Sequence, residues 1–245
     1  MTESQNKYYD SYWANTSWTP TARLSPVLKS YFDSYVKSDY SVLDIGCGDG
    51  QHYGFMLASR VSQYFGLDVS SEALKIAAKQ GIKPNLWPGH GRMPFNDNCF
   101  DAAICIEVLE HLQNPEHVVS EIHRILKPGG TVIVTVPNIG YFRERLLLLK
   151  GTFNPGGSPL TAWTSPWCDP HIRFFTPKTL KALFSTMDFN IYSMTGDGGN
   201  PVGDLPLIAK LARGRIIFPA LARFAQRCWP ALWGSKVILI AKKKT

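Results

Sequence analysis

The fold of this chain is decided by the stretch VLDIGCGDG, residues 42–50. Residues 41–45 are apolar apart from Ser41 and Asp44, and such a run is typical of a buried strand. The run leads directly into a loop that has glycine at every second position, Gly46, Gly48 and Gly50. Glycines at these positions allow a sharp turn and let a ligand approach the main chain closely. The stretch therefore predicts a ligand-binding loop after the first strand of a sheet.

Two acidic residues accompany this loop. Asp68 ends a second apolar strand, 63–68, and a carboxylate at that place can accept hydrogen bonds from both hydroxyls of a ribose. Asp44 precedes the loop and suits a ligand with an ammonium group better than a diphosphate. Gln51 stands where a dinucleotide-binding GxGxxG motif needs glycine or alanine. A ribose and a cation without a diphosphate indicate S-adenosylmethionine (SAM) as the ligand.

Strand and helix patterns alternate beyond the loop. A further apolar strand is predicted at 100–106, followed by a helix that Asn114 caps and Pro115 opens. Strands follow at 131–136, 189–195 and 236–241, with a helix at 177–187. This alternation predicts an α/β fold, a Rossmann-like and mostly parallel sheet with helices on both faces.

Composition sets further bounds. The chain has 245 residues, 44% of them hydrophobic and 18% charged, with a formal charge of +7. These values are typical of one globular domain with or without a lid. The five cysteines form no CxxC pair, and no apolar segment follows the polar N-terminus. We therefore expect free thiols, a cytoplasmic protein and no metal site.

Three segments lie outside the regular pattern. Residues 1–39 are aromatic and polar and are predicted to form an N-terminal cap on the domain at 40–245. Residues 151–171 are rich in glycine and proline and are predicted to form a lid, with Trp163 and Trp167 near the acceptor. Residues 204–233 form a basic and apolar insertion. It either packs on the domain, which we favour, or lies on an anionic membrane surface. No recognisable module favours nucleic acid.

Four stretches together resemble the class I SAM-dependent methyltransferases: VLDIGCGDG (42–50), GLDVS (66–70), FDAAICIEVLEHL (100–112) and LKPGGTVIVTVPN (126–138). The resemblance implies seven strands, with the last one antiparallel and inserted beside the one before it. It implies that Asp44 and the loop hold the methionine part of SAM, that Asp68 holds the ribose, and that Glu107 lies beside the cofactor. His90 replaces the usual acid at the adenine, so the backbone of Gly91 and Arg92 is expected there. The full predicted set of cofactor-binding residues is Asp44, Gly46, Cys47, Gly48, Gly50, Asp68, Val69, Gly91, Arg92 and Glu107.

A narrower resemblance is to a subgroup that includes MetW-like proteins. It rests on Pro137-Asn138 with Arg143 downstream, on HIRFFT (171–176), and on aromatic residues at 8–13. Members of this subgroup also occur among presumed polysaccharide- and natural-product-modifying methyltransferases. The resemblance does not identify the acceptor.

The resemblance implies transfer of a methyl group, and we expect a small-molecule, sugar or lipid-linked acceptor that is methylated at oxygen. A hydroxyl acceptor needs a base, and histidine suits that role near neutral pH. His171, at the end of the predicted lid, is the favoured base, and His111, beside Glu110 and a turn beyond Glu107, is the second candidate. Carbon and nitrogen acceptors remain open. A SAM-binding accessory protein without turnover and a nicotinamide-dependent dehydrogenase are the alternatives from other classes.

Overall fold

The computed structural model of the chain describes residues 10–11, 24–153, 171–199 and 217–245, with side chains in the last range from residue 223 onward. Seven strands form one sheet in the order β3-β2-β1-β4-β5-β7-β6. All neighbours are parallel except β7, which runs antiparallel to both β5 and β6. The strands are β1 Ser41–Ile45, β2 Gln63–Asp68, β3 Lys83–Leu86, β4 Phe100–Ile106, β5 Leu126–Pro137, β6 Phe189–Asp197 and β7 Lys236–Lys243.

Helices connect the strands, and their ends follow local capping chemistry. Ser70 accepts a hydrogen bond from the backbone of Ala73 at the start of one helix. Asn114 accepts one from the backbone of His117 at the start of another, which confirms the cap predicted there. The described helices are α1 Pro26–Tyr35, α2 Gly54–Ala58, α3 Ser71–Lys79, α4 Pro115–Ile125, α5 Phe142–Leu149, α6 Pro177–Thr186, α7 Ile217–Cys228 and α8 Pro230–Trp233, with a 3₁₀ turn at Leu109–His111.

The central strands are buried on both faces. Alternate residues of β1 belong to two separate apolar clusters: Leu43 packs with the helices α4 and α6, whereas Val42 packs with α1 and α2. Burial on both sides is the reason that these strands lack a polar face in the sequence. The predicted fold class and the antiparallel last strand are both confirmed.

The strand order places a ligand site. The chain leaves β1 toward β2 on one side, and returns to place β4 on its other side. Ligands bind outside the carboxyl ends of the strands at such a point of reversal. The glycine loop after β1 and the turn after β4 therefore face the same crevice.

Two elements differ from the sequence prediction. β3 was not located, because the exposed edge sequence Lys83–Leu86 has no apolar pattern to reveal it. β5 begins at Leu126 instead of Thr131, because Leu126 pairs with Phe100 before a register shift to Ala102 opposite Thr131. The glycines at 129–130 therefore mark an irregularity within the strand and not a loop between helix and strand.

The predicted cap, lid and insertion are only partly within the described residues. Trp163, Trp167 and most of the lid lie outside them, as do residues 1–9 and 12–23 of the cap and 204–216 of the insertion. The described end of the insertion packs on the sheet, where the Gln226 side chain donates to the Gly198 carbonyl at 2.7 Å. Within the described ranges, no helix combines the length and apolar character that crossing a membrane requires.

Candidate active site

The glycine loop is fixed to the end of β2 by backbone hydrogen bonds. The Gly46 amide donates to the Leu67 carbonyl at 2.7 Å, and the Gly48 amide donates to Oδ2 of Asp68 at 2.8 Å. Gly46 has a φ of +69°, and a Cβ atom there would overlap the side chain of Val108 in the turn after β4. The predicted loop residues thus lie together at the carboxyl ends of three adjacent strands, β2, β1 and β4.

Asp68 is positioned by two backbone donors. Besides the bond from Gly48, its Oδ1 accepts the Ser70 amide at 2.9 Å. Burial raises the pKa of Asp68, and the backbone hydrogen bonds oppose this rise. A carboxylate offers about four acceptor positions, so each oxygen retains capacity for a ligand hydroxyl. The geometry therefore fits the predicted contact with a ribose.

The N-terminal segment reaches the same place. The Ser70 hydroxyl donates to Oδ1 of Asp10 at 2.7 Å. Asp10 lies in the stretch for which the sequence predicts a cap. Tyr8, Tyr12 and Trp13, which flank Asp10 in sequence, lie outside the described residues.

Asp44 has a different environment from the predicted one. Its carboxylate is fully buried, and the hydroxyls of Tyr53 and Tyr64 each donate to one of its oxygens at 2.9 Å. Burial outweighs both hydrogen bonds and raises the pKa of Asp44 to about 7. The expectation of a direct contact with the ammonium group of the ligand does not fit this geometry. Asp44 instead fixes Tyr53, which precedes α2, beneath the loop.

The predicted adenine region borders a cavity. The cavity has a volume of about 420 Å³ and is lined by Gly89, His90, Gly91, Gln113, Asn114 and His117. The Gly91 carbonyl lies 2.9 Å from Nε2 of His117, and the Arg92 side chain turns away to pair with Asp97 at 2.8 Å. The side chain of Arg92 is therefore engaged outside the cavity, which leaves its backbone for the predicted contact.

Glu107 directly follows β4 and has a φ of +56°. Its Oε1 accepts the Thr135 hydroxyl at 2.8 Å, and its Oε2 lies 2.9 Å from Nζ of Lys236. Burial lowers the pKa of Lys236, but the charge and hydrogen bond of Glu107 outweigh it, so this pKa is raised overall. Sequence reasoning missed Lys236, because only the antiparallel direction of β7 brings its first residue to this edge.

The two candidate bases, His111 and His171, lie side by side. Their rings stack with centroids 4.7 Å apart, and Nε2 of each lies 3.9 Å from Oε1 of Glu110. The three residues come from the turn after β4 and from the far end of the predicted lid. The structure thus brings together two histidines that are 60 positions apart in the sequence.

The HIRFFT stretch is attached to the domain by its backbone. The amides of Ile172 and Arg173 both donate to the Glu110 carbonyl, at 2.9 and 3.0 Å. Phe175 forms an isolated β-bridge with Asn138, which joins the two motifs of the narrower resemblance. The Arg173 side chain donates to the Gln113 carbonyl and anchors this segment.

Comparison with known proteins identifies the class. Residues 43–134 match the family model described as a methyltransferase domain. The ubiquinone biosynthesis O-methyltransferase of Chromobacterium violaceum is 24% identical over 204 residues, which cover 80% of this chain and 84% of that protein. Its counterpart in Paraburkholderia phymatum is 31% identical over 134 residues, which cover 51% of this chain and 56% of that protein.

Solved structures share the fold. The [4+2]-cyclase SpnF superposes with a TM-score of 0.61 at 20% identity, over 98% of this chain and 96% of its own. A Thermotoga maritima protein described as a SAM-dependent methyltransferase and possible histamine N-methyltransferase has a TM-score of 0.56 at 20% identity, over 85% of this chain and 84% of its own. Likeness at this identity shows the fold alone. The family model and the curated relatives identify the protein as a SAM-dependent methyltransferase, with SAM as its cofactor.

Proposed function

We propose that this enzyme transfers the methyl group of SAM to an oxygen atom of a small-molecule, sugar or lipid-linked acceptor. The observation that carries the proposal is the cluster of Glu110, His111 and His171 at the carboxyl edge of the sheet. A hydroxyl must lose its proton as it attacks, and this cluster is the group that manages the proton. The curated relatives, which are named O-methyltransferases, support the same chemistry.

The proposed cofactor site is the crevice between the glycine loop and the turn after β4. Asp68 accepts hydrogen bonds from the ribose hydroxyls, Val69 follows it, and the loop main chain lies against the methionine part. The backbone of Gly91 and Arg92 faces the adenine, and Glu107 borders the crevice from β4. Bound SAM supplies a sulfonium methyl group, which is the electrophile of the reaction. The proposed loop set is Gly46, Cys47, Gly48 and Gly50, with Asp44 as a positioning residue beneath it.

The acceptor oxygen attacks the methyl carbon, the bond from that carbon to sulfur breaks, and its electron pair stays on sulfur. The protein must align the two reactants and exclude water. The hydroxyl proton leaves the acceptor at the Glu110 cluster. His171 is the better placed of the two histidines to meet the acceptor, because 26% of its side chain is exposed, against 18% for His111.

The oxygen assignment is tested with matched acceptors. Each test compound is prepared in three forms: with a hydroxyl, with an amine in the same position, and with neither group. Each form is incubated with the enzyme and with SAM that carries a deuterated methyl group. We expect S-adenosylhomocysteine release only with the hydroxyl compound, and NMR should locate the label on oxygen. Label on nitrogen or carbon would contradict the oxygen assignment while leaving SAM dependence intact.

A lipid-linked acceptor is supported by the surface at the end of α7. Phe224 and Trp229 are 61% and 63% exposed, and Arg223 and Arg227 are exposed beside them. Trp229 follows the last residue of α7, so the four side chains lie at one end of that helix. Exposed aromatic and basic side chains grouped in this way suit the interface of an anionic membrane.

Vesicle sedimentation tests this surface. We expect the protein to sediment with vesicles that contain phosphatidylserine and not with neutral vesicles. The double variant Phe224→Ser, Trp229→Ser should remain in the supernatant. The matched variant Leu148→Ser, Leu149→Ser changes two exposed apolar residues on α5 and serves as the control. Equal sedimentation of both double variants with the wild type would contradict the proposal.

A further inference from the structure

Glu110 lies at the carboxyl edge of the sheet, beside the two candidate bases, and its buried carboxylate lacks hydrogen-bond partners among the described residues. It is 1% exposed, and neither of its carboxylate oxygens has a hydrogen-bond partner among the described residues. Glu107, three residues earlier, has both oxygens engaged, by Thr135 and Lys236. A buried carboxylate without partners is costly, and a positive group bound to it would offset that cost.

Two imidazole nitrogens converge on this carboxylate. Nε2 of His111 and Nε2 of His171 both lie 3.9 Å from Oε1 of Glu110, which is too far for hydrogen bonds. One ligand atom from each of the three residues lies within 4.8 Å of the others. If both histidines carried protons to neutralise Glu110, two cations would stack with ring centroids 4.7 Å apart. A single ion between the three groups avoids that repulsion.

The scaffold holds these three residues in register. Glu110 and His111 belong to the 3₁₀ turn that follows β4, and the amides of Ile172 and Arg173 bind the Glu110 carbonyl. The bridge from Phe175 to Asn138 fixes the same segment a few residues further on. Ligands carried by fixed main chain are the requirement for a preformed metal site.

We propose that Glu110, His111 and His171 bind one divalent cation of the Zn²⁺ type. Two imidazoles and one carboxylate form a donor set that suits Zn²⁺ and other transition metals, whereas Mg²⁺ and Ca²⁺ prefer oxygen ligands throughout. Three protein ligands leave a coordination position open for an exogenous oxygen. This assignment replaces the sequence-based expectation that the chain has no metal site.

The open position gives the ion a role that rests on the proposed function. The ion would lower the pKa of an acceptor hydroxyl that binds to it, so this hydroxyl would release its proton to water at the Glu110 cluster near neutral pH. The histidines then act as ligands and the ion prepares the nucleophile. Tetrahedral zinc with bonds of 2.0–2.1 Å needs ligand atoms about 3.3 Å apart, so the side chains must close by roughly half an ångström or more.

The test is zinc binding to the full chain after treatment with a chelator. Titration calorimetry with Zn²⁺ should show one saturable site, and Mg²⁺ should not compete for it. The variants Glu110→Gln, His111→Ala and His171→Ala should each weaken Zn²⁺ binding by at least about 100-fold, because even the loss of a partner behind a ligand costs 10–100-fold. His123→Asn, a histidine on α4 that packs against Phe189, is the matched control and should bind as the wild type does.

A second measurement needs no variant. X-ray absorption at the zinc edge of the wild-type protein should show two imidazole nitrogens and oxygen, and no sulfur. Sulfur ligands, absence of a saturable site, or unchanged affinity in all three ligand variants would overturn the proposal. The oxygen assignment can fail separately from the cation site. If zinc binds at these residues but the deuterated methyl group is found on nitrogen, oxygen transfer is refuted and the cation site stands. Oxygen transfer at an undiminished rate in metal-free protein would overturn the proposed role of the ion alone.

Discussion

The buried acidic residues on the two sides of the crevice differ in their hydrogen bonding. On the cofactor side, Asp68 accepts two backbone amides and Asp44 accepts two tyrosine hydroxyls. On the acceptor side, Glu110 is equally buried, but its carboxylate accepts no hydrogen bond from the described residues. All three lie close to the carboxyl ends of neighbouring strands in the same sheet, so the difference lies in the partners that the chain supplies.

The difference indicates which half is complete without a ligand. Asp44 and Asp68 are fixed by the protein itself, so the cofactor side is a preformed platform. Glu110 and its two histidines form a group that an incoming ion or acceptor completes. Substitutions should therefore separate the two halves: cofactor affinity on one side, and turnover of the acceptor on the other.

The largest expected effect is on turnover. His171→Ala should lower kcat by about 10²–10⁴-fold, the usual contribution of a group that manages a proton in the transition state. SAM affinity, measured by calorimetry, should stay within about twofold of the wild type, because His171 does not line the cofactor side. His123→Asn is the control for loss of a histidine. A decrease in SAM affinity equal to the decrease in kcat would contradict the assignment of His171 to the acceptor side of the crevice.

The next effect is on stability and follows from Asp44. Its pKa is raised from 3.8 to about 7 in the folded protein, so the folded state binds this proton more tightly than the unfolded chain does. The free energy of unfolding should therefore fall as pH rises from about 4 to about 7, by up to roughly 4 kcal/mol from this residue. Urea unfolding at pH 5 and pH 8 measures it.

The variant Asp44→Asn isolates that contribution. It keeps a polar group between Tyr53 and Tyr64 but cannot ionise, so its stability should fall less between pH 5 and pH 8 than that of the wild type. Other titrating groups are common to both proteins and cancel in the difference. Identical pH dependence in the two proteins would show that Asp44 is not the residue responsible.

The smallest expected effect sharpens the cofactor side. Asp68→Ala removes the proposed acceptor for two ribose hydroxyls, and a hydrogen bond to a charged group contributes roughly 1.5–3 kcal/mol. SAM affinity should fall by at least about tenfold. Asp33→Asn, on the exposed surface of α1, controls for the loss of an acidic charge. Wild-type SAM affinity in Asp68→Ala would refute the ribose assignment.

Much of the fold could be predicted from local patterns. The glycine loop, the strands ending at Ile45, Asp68 and Ile106, and the cap at Asn114 all depend on residues close together in the sequence. β3 could not be located, because an exposed edge strand carries no apolar signal. The beginning of β5 depends on pairing with Phe100, which is a contact between distant residues.

Sequence patterns could predict only those parts of the site whose residues lie within a single motif. Asp68 and the loop lie in one motif each, and both are at the carboxyl ends of adjacent strands as those motifs predict, while their contacts with SAM stay a prediction. The role of Asp44 could not be deduced, because Tyr53 and Tyr64 reach it from separate elements. The sequence places Glu110 at the correct edge but does not reveal that its carboxylate is buried between two histidines, one of them 61 positions away. Such a cluster depends on how the 171–175 segment pairs with the turn after β4.

A co-crystal structure with S-adenosylhomocysteine tests the central claim most directly, because it locates the two halves of the crevice in one measurement. We predict both ribose hydroxyls within hydrogen-bonding distance of the Asp68 carboxylate, and the sulfur on the side that faces Glu110, His111 and His171. A ribose bound away from Asp68, or a sulfur on the side remote from the Glu110 cluster, would contradict the division of the crevice into a cofactor side and an acceptor side.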